Sequence, residues 1–162
     1  MDMDNGRLLT QNNDQNSEVY GFRGKLPESL TMRLTLWYDN TLLAKFNGDH
    51  QKLKKALAAV VENTKKKYLQ SPTLIIKINP LIESIRHINK DIFIHVGVSN
   101  ELRKFYAEAS VNCFFVHNNK GDAEGRGSYP RPCPDFNINL YRDLHKASNT
   151  FAHELGHNLD MR

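Results

Sequence analysis

"MRLTLWYDNTLLAKFNGDHQKLKKALAAVVENTKKKY", residues 32–68, changes its hydrophobic period once, and that change decides the fold class. In "MRLTLWY" (32–38), Leu34 and Leu36 alternate with polar neighbours and the run ends aromatic, the period-two signature of a half-buried strand. Beyond Asn47-Gly48-Asp49, the residues Leu53, Ala56, Leu57, Val60, Val61, Thr64 and Tyr68 recur at three- and four-residue steps. That spacing predicts an amphipathic helix of about five turns, with Asp49 placed to cap its first turn. A strand that feeds a long one-faced helix needs a sheet to cover that face, so the chain reads as an α/β layered domain.

Working outward, Pro72 closes the helix and "TLIIKI" (73–78) is a compact β-branched run with the character of a central strand. "DIFIHVGV" (91–98) alternates Ile92, Ile94, Val96 and Val98 as a further strand, and Ser99 is placed to cap the short helix "NELRKFYAEA". "VNCFFVH" (111–117) and "FNINL" (136–140) are two more strands. Between them a Gly-rich turn leads into "SYPRPCPD", where Pro130, Pro132 and Pro134 exclude an interior ladder and leave an edge strand or loop. A last helix spans about His145 to Asp160. Residues 1–30 show no sustained period and form a polar leader, loosely ordered, and 31–162 form the domain.

Composition narrows the class. A chain of 162 residues with 40% hydrophobic and 25% charged residues suits one globular domain. No apolar run approaches the roughly 20 residues that cross a bilayer, and the acidic start lacks the apolar core of a signal peptide. The net charge of +4 comes largely from Lys52, Lys54, Lys55, Lys65, Lys66 and Lys67 on the long helix. These lack interleaved aromatic or arginine readers, so they describe a solvated face and not a nucleic-acid surface. Cys113 and Cys133 allow one bridge at most, too few to fix a redox compartment. Cys113, inside an apolar strand, reads as a buried small hydrophobe.

The chemistry concentrates in "TFAHELGHNLDMR" (150–162). His153 and His157 stand four apart, which brings both imidazoles to one helix face, at the spacing that holds one Zn2+ ion. Glu154 is offset from His153 by about 100° of helix rotation, near the metal without being a ligand. There it can take a proton from zinc-activated water and return one to a leaving amine. Thr150, Phe151, Ala152, Leu155 and Leu159 supply apolar mass around the pair, and Gly156 implies a close neighbour.

"AHELGHNLDM" resembles the active-site helix of the adamalysin, or reprolysin, metzincin zinc proteases, whose full pattern is H-E-x-x-H-x-x-G-x-x-H. The likeness extends as a pattern over residues 31–162. It implies a mixed, mostly parallel twisted sheet with an antiparallel edge strand, flanked by a long helix and the active-site helix. It implies His153 and His157 as zinc ligands, Glu154 as acid/base, and a protein or peptide substrate. Gly127, Ser128 and Tyr129 would offer main chain to that substrate, with residues 125–130 lining the cleft and pairing with it antiparallel. Secretion is also implied.

Two departures stand out. Asp160 occupies the family's glycine, and the third ligand would fall at position 163, one residue past Arg162. The expectation is therefore a fragment with weak zinc affinity. Cys133 matches a family cysteine whose usual partner would follow residue 162, leaving it unpaired or joined to Cys113. The rival readings are a non-catalytic relative that keeps the helix without tight zinc, and a basic module meeting acidic partners. His50, His87, His95, His117 and His145 pair with no other ligand at metal spacing and read as surface or internally satisfied histidines.

Overall fold

The computed structural model of the chain describes residues 28–74, 76–95, 97–105, 110–118, 124–127 and 136–159. Two compact units divide it, residues 1–30 with 74–77 and residues 31–73 with 78–162. In the first unit the backbone N–H of Lys77 donates to the Glu28 carbonyl at 3.0 Å. The second unit carries the remaining elements.

Along the chain these are β1 (Ser29–Tyr38), α1 (Asn40–Lys45), α2 (His50–Gln70), β2 (Lys77–His87), α3 (Val98–Leu102), β3 (Val111–Val116), β4 (Gly125–Gly127), β5 (Phe136–Leu140) and α4 (Leu144–Asn158). A 3-10 turn, Arg103–Phe105, extends α3. The five strands form one sheet in the order β2-β1-β3-β5-β4. β1, β3 and β5 run parallel, and β4 is antiparallel to β5 at the edge. The expected mixed, mostly parallel sheet with an antiparallel edge strand and flanking helices is the architecture found.

Register makes the layers explicit. Leu36, Cys113, Asn137 and Gly127 form one cross-strand row, and Trp37, Phe114, Ile138 and Arg126 form the next. Successive rows point to opposite faces. The Trp37 row carries a core with Ile88, Ile92, Ile94, Val98 and Leu102, in which the Trp37 and Phe114 rings stack at 5.8 Å. The other face receives the helices: Phe115 meets Phe151 of α4 at 5.4 Å between ring centroids.

The long helix forms as its sequence dictates. Asp49 accepts from the N–H of Lys52 at 3.0 Å, and Leu53, Leu57, Val60, Val61, Thr64 and Tyr68 are its buried stripe. Asn47 and Gly48 make the turn before it at φ 54° and 76°, the left-handed region that Asn and Gly enter most readily.

Several expectations need correction. β1 is not half-buried: from Leu34 onward it is covered on both faces, because it lies inside the sheet. The strand expected at 73–78 begins only at Lys77, runs on to His87, and is an edge strand, the position in a sheet where a proline such as Pro80 is tolerated. No strand forms at Asp91–His95, because β2 already occupies the outer side of β1. Ile92 and Ile94 are buried there and Phe93 is exposed, so the alternation reports burial without pairing. The Ile92 N–H donates to the Asp39 carboxylate at 2.8 Å instead. α3 starts at Val98 with Gly97 as N-cap, so Ser99 lies within the helix and does not cap it. Residues Ser29 and Leu30 belong to β1, not to a leader, and 1–27 lie outside the described residues.

Candidate metal centre

α4 is fixed at both ends and in the middle. Asp143 caps its first turn, accepting from the Lys146 N–H at 2.9 Å. At mid-helix the Tyr68 hydroxyl of α2 donates to the Ala152 carbonyl at 2.7 Å. At the far end Asn158 donates to the Phe136 carbonyl at 2.9 Å and accepts from Asn137 at 2.8 Å. Asn137 in turn accepts from Asn139 at 2.8 Å, and Asn139 also donates to the Phe114 carbonyl at 3.1 Å. This buried amide chain ties the helix carrying the histidines to β5 and β3.

The β4 edge of the sheet approaches α4 closely because it carries glycine. A β-carbon on Gly125 would lie 2.8 Å from Glu154 Cγ and 2.8 Å from the Ile138 carbonyl oxygen. One on Gly127 would lie 2.7 Å from the Glu154 carbonyl oxygen and 3.3 Å from His157 Cβ. Any side chain at either position would lift β4 off the helix. The pair of glycines thus sets how deep Glu154 sits.

His153, Glu154 and His157 come together there, their ligand atoms within 4.8 Å of one another. The two Nε2 atoms are 3.2 Å apart, with the rings at 83°. A tetrahedral ion held at about 2.0–2.1 Å by each nitrogen requires a nitrogen separation of about 3.3 Å, so the donor pair fits zinc as it stands. His153 is exposed and His157 half-buried. Glu154 is 5% exposed, and its Oε2, 3.9 Å from His157 Nε2, has no hydrogen-bond partner among the described residues. A buried carboxylate oxygen without a donor is costly, and a cation or a donor brought by a ligand relieves that cost. Burial raises the Glu154 pKa above the ordinary carboxylate value, and the nearby His153 and Arg126 partly offset it. Two open cavities meet at His153 and Glu154, one of about 410 Å³ reaching Glu124 and Asn149 and one of about 300 Å³ reaching Arg126 and His157.

Of the site residues read from the sequence, the structure brings His153, Glu154, His157 and Gly127 together. Ser128, Tyr129, Cys133 and Asp160 lie outside the described residues, as do Pro130, Pro132 and Pro134. Cys113 carries a free, fully buried thiol, and Cys133, its suggested partner, lies outside the described residues. Its sulfur accepts from Asn137 at 3.4 Å, and burial drives its pKa far above that of an ordinary thiol. The other five histidines are each hydrogen-bonded, as expected of satisfied side chains. The sequence reading included Gly125 and Arg126 in the cleft-lining segment 125–130 without giving either a separate role, and it missed Glu124 and the asparagine chain. The available signal was "EGRG", two glycines one residue apart in a segment already assigned to the edge.

No protein-family model matches the chain, and no curated protein matches it. Among solved structures, one described as a chaperone–substrate complex is similar at 14% identity and a TM-score of 0.56, over 82% of this chain and 26% of that one. Metalloproteinase-II from Bacteroides fragilis is similar at 16% identity and a TM-score of 0.48, over 85% of this chain and 44% of that one. The chain thus spans less than half the length of either. The first likeness is one of fold alone, and the second is too slight to add to it. No helix among the described residues is long and apolar enough to cross a membrane.

Proposed function

We propose that this is a zinc-dependent peptidase domain of the adamalysin type, hydrolysing peptide bonds in a protein or peptide substrate, with residues 31–162 as the domain and an extracellular site of action. The observation that carries this reading is the pair of Nε2 atoms 3.2 Å apart beside the buried Oε2 of Glu154, which has no hydrogen-bond partner among the described residues. His153 and His157 would hold the ion through those nitrogens. A bound zinc ion supplies Lewis acidity toward a carbonyl and brings the pKa of a water it holds to about 7.

The chain's own part lies in Glu154. Burial under Gly125 and Gly127 raises its proton affinity above that of an ordinary carboxylate, a direction that suits a group that takes a proton from the attacking water at Oε2 and passes it to the leaving amine. Such acid/base assistance is worth about 10²–10⁴-fold. The free edge of β4, with Gly127 and onward to Ser128 and Tyr129, would hold the substrate main chain.

Titration with Co2+, followed by its visible absorption, tests the ligand set without requiring turnover. His153→Ala and His157→Ala should abolish binding, whereas Glu154→Gln should retain it and lose any chelator-sensitive peptide hydrolysis. Metal loss in Glu154→Gln equal to that in the histidine variants, or no uptake by the unaltered chain, would overturn the assignment.

A further inference from the structure

β4 alternates in chemistry as well as in direction. Gly125 and Gly127 face α4, so Arg126 stands on the opposite face, in the row of Ile138, and Glu124 precedes the strand with the same parity. Among the described residues β4 has no partner on its outer side. The Glu124 carbonyl is engaged inward, accepting from the Leu140 N–H at 2.8 Å. Glu124 and Arg126 are both exposed, and they border different cavities that share Gly125, His153 and Glu154. Opposite charges thus flank a glycine that opens onto the metal centre. Arg142 approaches Glu124 at 3.5 Å, but both side chains are about half exposed and solvent screens that pair.

An extended peptide laid along the outer side of β4 has its residues alternating between the same two faces. The residue beside Gly125 meets no side chain on the strand and faces Glu154 and His153. Its two neighbours lie beside Arg126 and Glu124, at the cross-strand separation of about 4.5–5.5 Å where opposite charges attract and like charges repel. We propose that this edge selects peptides carrying one acidic and one basic side chain two residues apart, the acid beside Arg126 and the base beside Glu124, with the intervening residue over the metal centre. This rests on the peptidase reading for the role of the bound peptide, but the selection is a property of the strand itself.

Fluorescence polarisation of short labelled peptides on the full chain, with and without zinc, tests it. The panel holds acid–alanine–base, the reverse order base–alanine–acid, acid and base adjacent, and the glutamine-substituted neutral peptide. One of the two spaced orders should bind about tenfold tighter than its reverse and than the neutral peptide. Arg126→Glu should remove that preference and favour a base–alanine–base peptide, and Glu124→Lys should favour acid–alanine–acid. Equal affinity across the panel, a preference that survives Arg126→Glu, or no binding of any peptide overturns the proposal. The expected preference without zinc uptake or hydrolysis would leave this selection standing and remove the peptidase reading. Metal-dependent hydrolysis indifferent to charge would do the reverse.

Discussion

Gly127 and Glu154 meet backbone to backbone: a β-carbon on the glycine would stand 2.7 Å from the glutamate's carbonyl oxygen. The obstacle is main chain within a helix, which cannot swing aside as a side-chain tip can. Gly127→Ala should therefore separate β4 from α4, lowering stability by about 1–3 kcal/mol, the usual cost of overpacking, and weakening Co2+ binding. Gly48→Ala is the contrasting case, since its β-carbon would meet nothing within 4 Å and only its φ of 76° is strained. It should cost about 1 kcal/mol and leave the metal affinity unchanged. Urea unfolding beside a cobalt titration separates the two, and equal metal affinity in both variants would refute the contact's role.

The amide chain from Asn158 through Asn137 to Asn139 predicts strong coupling. Asn158→Ala leaves the Phe136 carbonyl and the Asn137 amide without their present partner, at a cost of about 1–3 kcal/mol. Asn137→Ala should cost a similar amount, and the double variant less than the sum, because both remove the same bond. Additive losses in thermal or urea unfolding would show that the two amides do not act as a unit.

Glu154 links the site to pH. Its folded pKa is raised by burial, so in the metal-free protein its contribution to stability is fully present below the unfolded carboxyl value of about 4.3 and is lost as pH rises through the folded value. Glu154→Gln removes the ionisation. It should leave stability near that of the unaltered chain at acid pH and exceed it at neutral pH. Urea midpoints measured from pH 4 to 8 give the comparison, and parallel curves for the two proteins would contradict it.

Cys113 should be chemically silent. Its thiol is fully buried and held far toward the protonated form, whereas reagents attack the exposed thiolate. In a Cys133→Ser variant, a chromogenic disulfide reagent should titrate no thiol under native conditions and one after denaturation. Rapid native reaction would place Cys113 elsewhere than in the covered interior of β3.

Local periodicity carried the helices: α2 and α4 have one-faced stripes and Asp caps, all within a few residues of each other in sequence. The His153–Glu154–His157 grouping was legible for the same reason, since one helix turn sets it. What failed depended on distant partners. Asp91–His95 alternates and pairs with no strand, whereas in Lys77–His87 the residues Ile78, Leu81, Ile82 and Ile85 recur at three- and one-residue steps and yet form β2, beside β1. "FNINL" reads as Phe, Ile and Leu inward with asparagines in water, yet Asn137 and Asn139 are fully buried. A strand inside a sheet covered on both faces has no wet side, and its polar residues must find internal partners. The spacing of Gly125 and Gly127 marks one face of β4 as bare, but only the helix lying against that face gives it a role.

The bond from the Tyr68 hydroxyl to the Ala152 carbonyl has a kinetic meaning. That carbonyl belongs to the residue before His153, and the tyrosine closes the buried stripe of α2, the longest helix described. The histidine turn is therefore latched to a segment whose amides are among the last to open, since buried helix interiors exchange only through large-scale unfolding. In hydrogen exchange, Leu155 and Gly156 should keep pace with Val60 and Val61, although they lie near the end of their own helix. Tyr68→Phe should release that synchrony, so that the histidine turn frays at its own rate while α2 stays closed.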